Sequence, residues 1–281
     1  MKRLKKLFVS IVALAMLVCA CFSLTACADI KTVEITVSVV DTSTSTLQDK
    51  TLKVDLYRHL APKTVDKMVE YINAGYYNDA VFYHIENKVL MGDLAYENGK
   101  FVQKEIKPAI YGEFDRNGTV GSNLLNKEGS IGLWRTWTAD TAHTTNTSAF
   151  DSGRATWFMP TTDITNYNDY FCVFAQINLE DETNKATWEA ISDLFSSETT
   201  YEKYTIYYTG SYDAEKVNEN YGLTFNCVPS ADFNADEIDN LFVAEGEQLV
   251  AYNKTEIRAP FFTTSSGTKL LGAKITKAIV K

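Results

Sequence analysis

Hydrophobic and polar positions alternate with period two over residues 31–40, where Val33, Ile35, Val37 and Val39 fall on one side. A polar Thr/Ser turn follows at 42–46, and Leu52, Val54 and Leu56 then resume the alternation. Residues 31–58 therefore read as a long antiparallel hairpin with one buried face. The period then changes. Pro62 suits the first turn of a helix, Val65, Met68, Val69 and Ile72 recur at helical spacing, and Gly75 supplies the stop. Residues 81–93 read as two short strands about a turn, with His84 where a polar group would face a pocket. Residues 94–129 read mostly as loop, punctuated by Pro108, Gly112, Asn117-Gly118, Gly121 and Gly129. Three more strands are predicted at 130–136, 155–159 and 170–177, with a Thr/Ser/Ala-rich surface loop at 136–148 that could border a groove. A second helix is predicted at 185–195, with Trp188, Ile191, Leu194 and Phe195 on one face behind the acidic start Glu180-Asp181-Glu182.

Residues 197–258 change character. Tyr201, Tyr204, Tyr207, Tyr208, Tyr212 and Tyr221 crowd into one segment, ahead of a predicted helix at 234–250 that carries Ile238, Leu241, Phe242 and Leu249. The last predicted strand, 269–280, alternates through Leu271, Ala273 and Ile275 and is expected to pair with the first.

The amino terminus stands apart from this pattern. Lys2, Arg3, Lys5 and Lys6 precede an apolar run from Leu7 to Val18, in the order of a secretory signal. Leu24-Thr25-Ala26-Cys27 then matches a bacterial lipobox, so residues 1–26 are expected to be a lipoprotein signal peptide and Cys27 the lipidated residue. The mature chain, 27–281, would sit at the cell membrane, lipid-anchored on the extracytoplasmic side. Its removal would take the formal charge from −9 to −13, which argues against nucleic acid as a partner and leaves the acyl chains as the tether.

Of the five cysteines, Cys172 and Cys227 remain after the signal and the lipid site; they could pair outside the cytoplasm or stay as buried thiols. No cysteine spacing suggests metal, and His59 and His143 lack partners at ligand spacing.

Several strings, in order, resemble the cyclophilins, the family of peptidyl-prolyl cis-trans isomerases. Leu56-Tyr57 with Ala61-Pro62-Lys63-Thr64-Val65 resembles the family's second strand and first helix. Phe82-Tyr83-His84-Ile85 sits where the family has Phe-His-Arg-Val/Ile. Residues 129–136, Gly-Ser-Ile-Gly-Leu-Trp-Arg-Thr, resemble Gly-Thr-Ile-Ser-Met-Ala-Arg-Thr. Ala155-Thr156-Trp157-Phe158-Met159 resembles Ser-Gln-Phe-Phe-Ile, and Cys172-Val173-Phe174-Ala175 resembles the Val-Phe-Gly of a late strand. The likeness covers residues 31–197 and 268–280. It implies a mainly β fold: a closed antiparallel eight-stranded barrel with two capping helices, carrying an α/β insertion at about 197–258 before the last strand.

The resemblance also implies a site. It places the family's catalytic arginine at His84, the proline-pocket methionine near Leu90, a glutamine at Thr156, the pocket phenylalanine at Phe158 and a wall histidine or tyrosine at Phe171. Phe82, Met91 and Trp157 join these as substrate-binding candidates. The family's Met-x-Gln-Gly-Gly run is shortened here to Leu90-Met91-Gly92-Asp93. The aromatic floor is kept and the polar half changed.

Turning an X-Pro bond means crossing an amide barrier of about 18–20 kcal/mol. That requires no nucleophile, metal or cofactor, but a dry pocket for the proline ring and a donor aimed at the imide nitrogen. A neutral imidazole at His84 is a weaker donor than arginine, by about 2.7–4 kcal/mol in analogous deletions. Arg135 and Arg154 are the cations that could substitute. Two functions follow from the resemblance. One is a weakened isomerase acting on proline-containing peptides or unfolded secreted proteins; the other is a catalytically inactive peptide- or protein-binding surface lipoprotein.

Overall fold

The computed structural model describes residues 29–119, 124–135, 150–209, 224–234 and 254–281. The expected signal, Cys27, the loop at 136–148, His143, Tyr212, Tyr221 and all but the first residue of the expected helix at 234–250 lie outside these.

The opening hairpin forms as its alternation requires. Strand β1 (Ile30–Asp41) pairs with β2 (Thr46–Tyr57) in continuous register from Ile30–Tyr57 to Asp41–Thr46. Val33, Ile35, Val37, Leu52, Val54 and Leu56 all face the core. Helix α1 (Pro62–Asn73) buries Thr64, Val65, Met68, Tyr71 and Ile72 and stops at Gly75, whose φ of +71° suits a residue without a Cβ. Its N-terminus has no capping side chain from Ala61. Instead the buried carboxylate of Glu113 accepts hydrogen bonds from the Lys63 and Thr64 amides at 3.0 and 2.7 Å, satisfying donors the helix itself cannot.

Four short strands follow: β3 (Tyr83–Ile85), β4 (Lys88–Met91), β5 (Leu94–Glu97) and β6 (Lys100–Gln103). The β5–β6 hairpin replaces part of the expected loop. Its turn is Asn98-Gly99, both at positive φ, a dipeptide suited to a two-residue hairpin. Next come β7 (Ser130–Leu133), β8 (Trp157–Pro160), β9 (Val173–Ile177) and helix α2 (Glu182–Ser192). Asp181 caps α2 by accepting from the Asn184 amide at 2.9 Å, and a 3-10 turn continues to Phe195.

Strands β10 (Glu202–Thr209), β11 (Thr224–Pro229) and β12 (Thr255–Ala259) follow, and β13 (Phe261–Thr263), β14 (Lys269–Leu271) and β15 (Ala273–Val280) complete the chain. The expected last strand is thus split at Gly272. As expected, β15 pairs antiparallel with β1.

The closed eight-stranded barrel is corrected. Among the described residues the main sheet is open and has eleven strands, in the order β11-β10-β12-β3-β4-β8-β7-β9-β2-β1-β15. The physical reason is competition for one edge. Strand β12 takes the free edge of β3, pairing Arg258 with His84. The last strand reaches only the segment before β3, through a Val81–Lys274 bridge and the bond from Ile275 N to Ala80 O at 2.8 Å. Strands β12, β10 and β11 thus lengthen the sheet from β3 where a ring would have closed.

Both cysteines left open by the sequence are free thiols. Cys172 is buried beside Thr64, and desolvation pushes its thiol up to about 12. Tyr201 and Tyr204 are buried, the latter against Phe101 and Phe261.

Candidate functional site

Residues opposite each other across β3, β4, β8 and β7 fix which side chains share a face. Tyr83 pairs with Leu90, Leu90 with Phe158, and Phe158 with Gly132, so these four lie in one row. In the neighbouring row His84 pairs with Val89 and Val89 with Met159, on the opposite face. Contacts agree with this alternation. Leu90, Phe158 and Phe171 pack with Tyr83, Leu94, Phe101 and Tyr167 outside the barrel core. Phe82, Met91 and Trp157 pack into the core itself with α1. Trp157 donates its indole N–H to the Met68 sulfur at 2.8 Å.

The structure thus brings Leu90, Phe158, Phe171 and Thr156 to one side and leaves Phe82, Met91, Trp157 and His84 on the other. His84 is buried and stacks on Phe195 at 5.4 Å, and its Nδ1 has no hydrogen-bond partner. Desolvation lowers its pKa to about 4, helped by Arg258 and Lys88, so the ring is neutral at pH 7. The side chain from β3 that shares the row of Phe158 is Tyr83. Its hydroxyl donates to Asp93 at 2.9 Å. Desolvation pushes the Asp93 carboxyl above its ordinary range, against hydrogen bonds from Tyr83 and Thr156 that hold it down.

The floor on the outer side is not open. Leu90 and Phe158 are fully buried and Phe171 is 2% exposed. Trp134 lies edge-on to Phe158 at 5.8 Å and stacks near-parallel to Phe171 at 5.7 Å. Tyr167 stacks on Phe171 at 4.3 Å and meets Phe158 edge-on at 5.9 Å. Gly132 allows this: a Cβ there would overlap the Phe158 ring, so its absence lets the ring settle against the sheet. The ammonium of Lys88 completes the cover, 5.5 Å from the Trp134 ring and 5.4 Å from that of Tyr167.

Neither candidate cation enters this space as a free donor. Arg154 donates to the Lys107 carbonyl at 2.6 Å. Arg135 is buried, donates from Nε to the Tyr170 carbonyl at 2.8 Å, and sits over Phe114, Phe150 and Phe171. Burial lowers its pKa to about 10, which leaves it charged at neutral pH. His59 packs edge-on to Tyr57.

A family model described as cyclophilin type peptidyl-prolyl cis-trans isomerase/CLD matches residues 39–210. The chain belongs to the cyclophilin family. Among solved structures, it is similar to a cyclophilin type peptidyl-prolyl cis-trans isomerase of Cryptosporidium parvum at 13% identity, with a TM-score of 0.36 over 56% of this chain and 83% of that one. A second structure of that protein, in the presence of the dipeptide Ala-Pro, gives 13% identity and a TM-score of 0.33 over 54% and 83%. Among curated proteins, none matches.

Within the cyclophilin frame, the residues that sequence reasoning missed are Trp134, Tyr167, Lys88 and Tyr83. Two were visible. The family string resembled by residues 129–136 has alanine at the position of Trp134 and serine at that of Gly132. A large ring thus stands where the family string has a small residue, and the glycine leaves room for the Phe158 ring that it packs against. Counting alternate positions from Phe82 would likewise have put Tyr83, rather than His84, on the outer face. Nothing in the strings pointed to Tyr167 or Lys88.

Proposed function

We propose that this chain is a cyclophilin-family binding domain that no longer turns X-Pro bonds, and that it is held outside the cytoplasmic membrane by lipid on Cys27. One observation carries the loss of catalysis. The wall that would grip a pyrrolidine ring, Leu90, Phe158 and Phe171, is at most 2% exposed beneath Trp134 and Tyr167. Catalysis requires the transition state to be held more tightly than the ground state, and an occupied seat holds neither. Moving Trp134 gives up two aromatic pairs, a cost of about 1–3 kcal/mol, which keeps any open form a minority. His84, in the family's arginine position by string, is neutral and belongs to the opposite face, so it supplies no donor there.

The anchor rests on the basic start, the apolar run and Leu24-Thr25-Ala26-Cys27. The partners on this reading are polypeptides met outside the cytoplasm, either unfolded secreted chains or other surface proteins.

Two-dimensional exchange NMR on an Ala-Pro peptide tests the first half. The expected exchange rate with wild-type protein equals the uncatalysed one, and a catalysed rate overturns the reading. Cys27→Ala tests the second: the variant is expected in the soluble fraction, and continued membrane association overturns the anchor.

A further inference from the structure

The way the seat is filled has a chemistry of its own. Lys88 opens β4, and its side chain is 1% exposed although it ends in an ammonium group. That group meets the Glu86 carboxylate at 2.7 Å, the Asn87 side-chain oxygen at 3.4 Å, and the rings of Trp134 and Tyr167 at 5.5 and 5.4 Å. A carboxylate, an amide oxygen and two aromatic rings are what an organic cation requires when water is withdrawn. A pyrrolidine ring would need only the aromatics.

We propose that the two rings covering the former proline seat form, with Glu86 and Asn87, an ammonium box, and that it binds lysine side chains of a partner polypeptide in exchange for Lys88. This rests on the reading of the domain as a binding module. The two halves of the box differ in how firmly they are held. The rings are fixed by packing on Phe171. The carboxylate belongs to Glu86, 74% exposed and at φ +55° in the two-residue turn between β3 and β4. Lys88 therefore depends on a solvent-facing turn for its ion pair, while the rings stay in place for an incoming ammonium. The formal charge of −13 expected for the mature chain favours approach of a basic segment. Because Lys88 already occupies the box, an external lysine binds with its intrinsic affinity multiplied by the small fraction in which Lys88 has left.

The test uses Nα-acetyl-lysine N-methylamide as probe and its uncharged norleucine analogue as control, titrated by NMR into the full mature chain. Wild type is expected to bind the lysine probe weakly but saturably. Lys88→Ala, which empties the box, should bind it at least tenfold more tightly and prefer it at least tenfold over the norleucine probe. Tyr167→Leu should weaken binding at least fivefold. If Lys88→Ala does not fold, Lys88→Ser takes its place. No saturable binding by wild type, or equal binding of the two probes by the emptied variant, overturns the proposal. The peptide-exchange assay reports separately on catalysis, so an active wild type would sink the binding-module reading without deciding what the emptied box accepts.

Discussion

The inner and outer faces of the β3–β4–β8 segment are made from the same short strands and yet pack by different rules. Inside, Val89, Met91, Trp157 and Met159 join the large mixed aliphatic and aromatic core under α1, where Trp157 packs on Tyr77 and Phe174, with His84 at its margin. Outside, Leu90 and Phe158 lie under a shell of Trp134, Tyr167 and Phe171 with a lysine set into it. The central phenylalanine of this outer face is as buried as the tryptophan beside it. The difference teaches that an outer face becomes a second core when large rings surround it and a glycine leaves room for one of them.

The comparison is broken most directly by truncating one side chain from each face. Trp157→Ala and Phe158→Ala are expected to cost about 3–5 kcal/mol each, read from denaturant midpoints at unchanged slope. Equal costs mean two cores. If Phe158→Ala were nearly neutral, the outer ring would be the floor of an accessible pocket and the filled seat would be wrong.

The inner face carries the next effect. His84 has its pKa lowered to about 4 from an ordinary 6.5, so the folded state resists a proton the unfolded chain accepts. Its contribution is therefore present in full above pH 6.5 and lost as pH falls toward 4, a difference of about 3 kcal/mol. Comparing wild type with His84→Gln across that window isolates the imidazole from other acid-sensitive groups. The wild-type curve should fall more steeply; parallel curves would place His84 in contact with water.

How much of this was legible in the chain depended on range. Alternation at Val33–Val39 and helical spacing from Val65 to Ile72 are local, and both elements form where the pattern put them. The Asn98-Gly99 turn was also local, and was passed over among many loop signals. Barrel closure was not local. It hinged on whether β12 or β15 would take the edge of β3, and no pattern within either strand encodes that competition. Of the candidate site residues, Leu90, Phe158 and Phe171, placed by string, do lie in one cluster. The face of His84 was lost because a string match gives order along the chain, while a strand's side is set by parity. Trp134 in place of a small residue was present in the string, but its consequence depends on where Phe158 sits.

Gly132→Ala sharpens the outer half of the comparison. The new methyl would overlap the Phe158 ring, forcing it off the sheet at a cost of about 1–3 kcal/mol. The same displacement should push Trp134 outward, so indole quenching by acrylamide is expected to increase. A loss of stability without a change in quenching would mean that Trp134 does not ride on Phe158.

The smallest effect separates a polar rim from plain packing. Tyr83→Phe removes the hydroxyl that donates to Asp93 and keeps the ring that packs with Leu90 and Phe158. The expected loss is about 0.5–1.5 kcal/mol at pH 7, where the donor stabilises a carboxylate already pushed up by desolvation. Without it the Asp93 carboxyl should titrate higher still, a shift that carboxyl-carbon NMR reads directly. The folded state then takes up a proton more readily, so the penalty of Tyr83→Phe should shrink as pH falls and Asp93 becomes neutral. A penalty that stays constant with pH would mean the hydroxyl supports the fold through its position alone and not through the Asp93 charge.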